Sequence, residues 1–137
     1  MFLFKLSSFT QPIDPPFDDV YLHDMWLLDQ LSDRIRCVNS AHGIRTVNEK
    51  IWLTQFKDLI PNTWVTTSRQ MIDSLLLDRH ELILKPTDGF GGQSIFRLSQ
   101  DDPNRAVILD TMFAQGYVIA QEVLAEADKG DKRILLC

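Results

Sequence analysis

Apolar and polar positions along this chain change period several times, and each change marks an element. Asp18 or Asp19 can cap a helix running to about Leu31, because Val20, Met25, Leu28 and Leu31 recur near helical spacing. Ile35 to Val38 reads as a short strand. A second helical pattern covers Asn48 to Leu59, with Ile51, Trp52, Phe56 and Leu59 as its apolar face and Pro61 as its stop. Thr63 to Thr66 is β-rich, and Ser68 can then cap a helix through Leu77. Two apolar segments follow, Glu81 to Lys85 and Ser94 to Leu98, with glycines between them. Helical spacing returns over Ala106 to Ala114 and is closed by Gly116; Val118 to Glu122 is a further strand, and Lys132 to Leu136 begins one more. Hairpin-paired strands mixed with helices give an α+β (mixed α/β) chain with room for βαβ pieces. Leu135, Leu136 and Cys137 end it inside an apolar strand, the pattern of a chain cut short there.

The most chemistry lies between the two central apolar segments. Leu82, Ile83 and Leu84 lead into Lys85, and Gly89, Gly91 and Gly92 then fall within four positions. Glycines there can take positive φ and bring backbone N–H groups to an anion with no Cβ in the way. Lys85 places a point charge where polyphosphate oxygens would lie. Strand, lysine, glycine loop, strand is the layout of a phosphate cover. It is equally the layout of an ordinary hairpin turn beside a surface lysine. Commoner phosphate motifs are excluded: there is no G-x-x-x-x-G-K-[ST] and no G-x-G-x-x-G between strand and helix. A protein kinase would place its glycine loop ahead of its lysine strand, the reverse of the order here.

Composition narrows the class further. A chain of 137 residues with 45% hydrophobic and 24% charged residues is expected to fold as one soluble globular domain. A net charge of −5 argues against a general nucleic-acid binder but leaves room for a small anionic ligand held by a few lysines. Cys37 and Cys137 form no C-x-x-C or disulfide-dense spacing, so a reducing cytoplasm is expected. His23, His42 and His80 make no zinc pattern. No apolar run approaches the roughly 18 residues of a membrane span.

The run from Lys85 to Arg97 (Lys-Pro-Thr-Asp-Gly-Phe-Gly-Gly-Gln-Ser-Ile-Phe-Arg) resembles the glycine-loop signature of bacterial glutathione synthetases, members of the ATP-grasp superfamily. Three more stretches resemble that family in the same order: Asp14-Pro15-Pro16-Phe17-Asp18, Asn48-Glu49-Lys50 and Gly130-Asp131-Lys132-Arg133. Four motifs in register are far more specific than the loop alone. The resemblance implies a partial ATP-grasp fold, made of the linker region, the nucleotide-side lobe and the start of the C-terminal lobe. It sets residues 1–13 apart as unmatched, assigns 14–47 to the linker at the end of the N-terminal substrate-domain region, and assigns 48–137 to an ATP-grasp domain truncated at its C-terminus.

The implied activity is ATP-dependent joining of γ-glutamylcysteine to glycine through an acyl phosphate. Alternatives are another ATP-grasp ligase or a non-enzymatic, truncated nucleotide-binding module. By the same resemblance Lys50 and Lys85 would contact the nucleotide, and the loop Gly89, Phe90, Gly91 and Gly92 would cover its phosphates. Gln121, Glu122, Val123 and Leu124 would meet the adenine, and Arg133 would stabilise charge on the transferred phosphoryl group. ATP and Mg²⁺ are the implied cofactors, alongside small-molecule or peptide substrates. The family's acidic and asparagine metal ligands match no residue here, so Mg²⁺ ligands are expected outside this chain. Pro12 and Ile13 stand where the family carries a basic pair, and only thirteen residues precede Asp14. The chain by itself is therefore expected to be inactive, and its apolar edges invite a homo-oligomer or a complementary fragment.

Overall fold

The computed structural model describes residues 8–10, 17–31, 36–89, 91–130 and 132. They divide into two compact units: one holds the described residues up to Trp52 together with the segment Asp88–Gln93, and the other holds Leu53–Thr87 and the described residues from Ser94 onward.

In the first unit, strand β1 (Ser8–Thr10) pairs in parallel with β2 (Arg36–Val38), and helix α1 (Asp19–Asp29) lies between them in sequence. Parallel neighbours need such a crossover, so the βαβ piece is present, although β1 itself carries no pattern strong enough to predict it. Asp18 caps α1 by accepting the Tyr21 N–H at 2.9 Å. Of the expected apolar stripe only Met25 is fully buried, while Val20 is 66% exposed. Helix α2 (Ala41–Thr46) was not expected; Ser40 caps it through the Gly43 N–H at 3.2 Å, and Arg45 ties it to α1 through Asp29 at 2.6 Å.

Helix α3 (Glu49–Trp52) corrects the expectation of one long helix over Asn48–Leu59. It is a single turn, followed by a 3₁₀ turn at Leu53–Gln55. The intended apolar face explains the difference. Ile51, Trp52 and Phe56 are about two-fifths exposed and Leu59 is 83% exposed, so burial of that face is too incomplete to sustain one long helix.

The second unit is an antiparallel sheet in the order β3-β6-β4-β5, built from β3 (Thr63–Thr66), β4 (Glu81–Pro86), β5 (Phe96–Ser99) and β6 (Val118–Glu122). β3 and β6 match their expected ranges, and β4 and β5 form the expected hairpin with Leu84 opposite Phe96. Helices α4 (Arg69–Arg79) and α5 (Arg105–Phe113) cover one face. Ser68 caps α4 through the Met71 N–H. Ile72, Leu76, Leu109 and Met112 pack there on Leu82, Leu84, Leu98, Val118 and Ala120 as a single core. Each of these side chains other than Ala120 contributes about 1.5–3 kcal/mol on leaving water.

Alternation in β4 decides which side chains face away from that core. Leu82, Leu84 and Pro86 are buried, whereas Glu81, Ile83 and Lys85 are half-buried on the opposite face. Of the strand expected over Lys132–Leu136, only Lys132 lies among the described residues. No helix among the described residues is long and apolar enough to cross a membrane.

Candidate functional site

Lys85 sits near the end of β4 on the sheet face away from α4 and α5, and a side-chain chain of hydrogen bonds holds it there. Its Nζ donates to Gln121 Oε1 at 2.7 Å. Gln121 Nε2 donates to Thr63 Oγ1 at 2.9 Å, and the Thr63 hydroxyl donates to the Pro61 carbonyl at 2.7 Å. The register produces this alignment. Ile83 pairs with Gln121 and Lys85 with Ile119 across β4 and β6, while Thr63 pairs with Gln121 across β3 and β6. Lys85, Gln121 and Thr63 therefore share one face with Ile83, Val65 and Ile119. Ile119 is itself buried, so the cation, the amide and the half-buried Ile83 and Val65 are what this face offers a purine carrying a charged tail.

The rest of the segment Gln121 to Leu124 divides by face. Glu122 pairs with Leu82 and so points to the helix side, where its carboxylate accepts from Asn62 Nδ2 at 2.7 Å and Arg79 Nη1 at 3.3 Å. Its own N–H bonds the Asn62 carbonyl at 2.9 Å. Val123 is half-buried, and Leu124 exposes 53% of its surface as an open apolar contact. A 3₁₀ turn follows at Ala127–Lys129, and Asp128 within it accepts from Arg97 Nη1 at 3.4 Å. The Glu81 carboxylate, hydrogen-bonded to Arg97 at 2.7 Å, raises that guanidinium above its ordinary range, with Asp128 adding to the effect.

In the other unit, Lys50 lies on α3 and its Nζ donates to the Gly89 carbonyl at 2.8 Å. Asn48 Oδ1 accepts the N–H groups of Lys50 and Ile51, both at 3.0 Å, and so fixes the start of that turn. The loop glycines are used for their conformational freedom: φ is 137° at Gly89, 63° at Gly91 and 77° at Gly92. A Cβ added at Gly91 or Gly92 would meet nothing within 4 Å, so backbone geometry alone requires glycine, and the N–H groups there are approachable. Phe90 and Arg133 lie outside the described residues. Among the described residues no three His, Cys, Asp or Glu side chains gather as a metal site.

A concavity of about 410 Å³ lies against α4 and α5, lined in part by Arg69, Asp73 and Arg105. Its arginines are matched by carboxylates, Arg69 with Asp110 and Arg105 with Asp73. That pairing offsets the charge its arginines would offer an anion. Thr63 is the member of the Lys85 network that sequence reasoning missed. Its partner Gln121 is 58 residues away, and a threonine in a strand carries no local sign of such a contact.

Comparison with known proteins identifies the family and the fold. Residues 49–137, more than half of the chain, match the family described as prokaryotic glutathione synthetase, ATP-grasp domain. The chain is 40% identical over 126 residues to a glutathione synthetase of Shewanella oneidensis, covering 90% of this chain and 40% of that protein. It is 43% identical over 127 residues to the glutathione synthetase of Nitrosomonas europaea, covering 90% of this chain and 39% of that one. The match to the Vibrio cholerae glutathione synthetase, 37% identical, extends over 98% of this chain and 43% of the relative. The chain thus spans about two-fifths of the length of the curated relatives it matches. Among solved structures, D-cycloserine synthetase DcsG superposes with a TM-score of 0.59 at 18% identity, over 78% of this chain and 40% of that one. The ATP-grasp ligase PsnB, complexed with a phosphomimetic variant of its minimal precursor, Mg and ADP, gives 0.55 at 16% identity, over 75% of this chain and 34% of that one. These two likenesses establish the ATP-grasp fold. The chain belongs to the prokaryotic glutathione synthetase family, with residues 49–137 as its ATP-grasp portion.

Proposed function

We propose that this chain supplies the nucleotide-binding part of an ATP-dependent carboxylate–amine ligase that joins γ-glutamylcysteine to glycine. The observation that carries this reading is the placement of Lys85, held by Gln121 on the sheet face opposite the core. In that role the Lys85 ammonium binds nucleotide phosphate oxygens, and the half-buried Ile83 and Val65 offer the base apolar contact. Leu124 and the backbone of Gln121 to Leu124 border the adenine. Lys50 and the N–H groups of the glycine loop are assigned to phosphate by their match to the family motifs. When the loop covers the phosphates it also keeps water from an acyl phosphate. Arg133 is assigned to charge on the transferred phosphoryl group.

The reaction transfers the γ-phosphoryl group of ATP to the carboxylate of γ-glutamylcysteine, after which the glycine amine displaces phosphate. Phosphoryl transfer of this kind rests on positioning and charge neutralisation. Mg²⁺ supplies charge neutralisation between phosphate oxygens when bound, as fits the PsnB complex with Mg and ADP. Among the described residues no three His, Cys, Asp or Glu side chains gather to hold it, and its ligands are assigned outside this chain by the family resemblance.

The test is a graft. This chain replaces the matching two-fifths of the Shewanella oneidensis relative, and phosphate release that depends on γ-glutamylcysteine and glycine is measured. Retained release, with glutathione identified by mass spectrometry, is the expected result. The 137-residue chain alone should show none. A folded graft that binds ATP but makes no glutathione would contradict the ligase reading.

A further inference from the structure

Building on the nucleotide reading above, we propose that Thr63 is a positioning residue that fixes the direction of the Gln121 amide and thereby selects a 6-amino purine over a 6-oxo purine. The hydrogen-bond chain has one self-consistent direction. The Pro61 carbonyl can only accept, so the Thr63 hydroxyl spends its proton there at 2.7 Å. Thr63 Oγ1 is then an acceptor for Gln121, which must turn its NH₂ group toward β3 at 2.9 Å. At the other end the Lys85 ammonium can only donate, so Gln121 must turn its carbonyl toward β4, where the contact is 2.7 Å. Two fixed ends, a carbonyl and a cation, hold one amide in one orientation.

The consequence concerns the base. One Gln121 N–H and one carbonyl lone pair are used within the chain, which leaves the second of each for a ligand. With Oε1 held on the Lys85 side, that oxygen accepts from the 6-amino group of an adenine lying beside the half-buried Ile83. A 6-oxo purine presents an acceptor at the same place. Accommodating it requires the amide to turn over, which would set the NH₂ group against the Lys85 ammonium and Oε1 against a hydroxyl oxygen whose proton is already committed. A site that leaves buried polar groups mismatched rejects the wrong ligand strongly.

The experiment is calorimetric titration of the 137-residue chain with ATP and with inosine triphosphate, which differs at the six-position and lacks a 2-amino group. Thr63→Val keeps the β-branched shape and removes the hydroxyl. It should lower the ATP affinity about tenfold and change the inosine triphosphate affinity much less, so that the ratio between the two falls. Thr63→Ser restores the hydroxyl and should restore the ratio. In a Gln121→Met background, Thr63→Val should have no further effect on the ratio, whereas a merely structural role for Thr63 would lower both affinities again. A wild-type chain that prefers ATP, with a Thr63→Val variant that keeps the same preference, would overturn the inference and leave the proposed function standing. If Thr63→Val does not fold, Gln121→Met alone decides: an unchanged ATP preference overturns the inference. A wild-type chain with no affinity for ATP would remove the proposed function and the inference together.

Discussion

Replacing Lys85 with alanine is expected to lower the affinity for ATP about ten- to hundredfold, the worth of one charged hydrogen bond to phosphate at roughly 1.5–3 kcal/mol. The fold survives this change. Lys85 is half-buried on the face away from the core, and its loss removes the bond to Gln121 among its contacts. A destabilisation of about 1 kcal/mol or less follows, which thermal unfolding reads as a shift of a few degrees. Calorimetric titration with ATP measures the larger effect. Unchanged affinity in a folded Lys85→Ala variant would remove the lysine from the site.

Leu84→Ala, one residue earlier on the same strand, has the opposite signature. Leu84 is fully buried among Ile72, Leu76, Leu109 and Met112, on the face that α4 and α5 cover. Truncation there loses transfer free energy and leaves a cavity, at a cost of about 2–5 kcal/mol. That is comparable to a large part of the whole stability of a domain of this size. The thermal midpoint should fall by roughly 10 °C or more, and the variant should reach nucleotide competence only at low temperature. A Leu84→Ala variant as stable as the parent would mean that the sheet face has been assigned the wrong way round. Neighbouring substitutions thus separate fold from binding through nothing more than strand alternation.

The hairpin was legible in the sequence, but the alternation within the continuous apolar run of β4 was not. The apolar run Leu82-Ile83-Leu84 ending in Lys85 and the glycines after it announce a hairpin with a lysine at its end, and β4 and β5 are that hairpin. β3 and β6 were readable from their β-branched residues, and the caps Asp18 and Ser68 from their place before helical spacing. What the sequence concealed depends on partners far along the chain. The face Ile51, Trp52, Phe56 and Leu59 has helical spacing, yet only tertiary burial could sustain a long helix there, and those side chains remain substantially exposed. Helix α2 is six residues long with Gly43 inside it, too short and too weak in propensity to show a period. Within the site, Lys85 was identifiable from its position after a strand. Its orientation by Gln121 and Thr63 was not, since those contacts join residues 36 and 58 positions apart. Likewise, the bond from Lys50 to the Gly89 carbonyl spans 39 positions.

The placement of the nucleotide is tested most directly by residue-resolved chemical shifts. Titrating the isotopically labelled chain with a non-hydrolysable ATP analogue should move the amide signals of Thr63, Lys85, Gly91, Gly92 and the segment Gln121 to Leu124. The signals of Arg69, Asp73 and Arg105, in the concavity beside α4 and α5, should stay where they are. Shifts confined to that concavity, or no shifts at any analogue concentration that saturates a millimolar site, would contradict the nucleotide face described here.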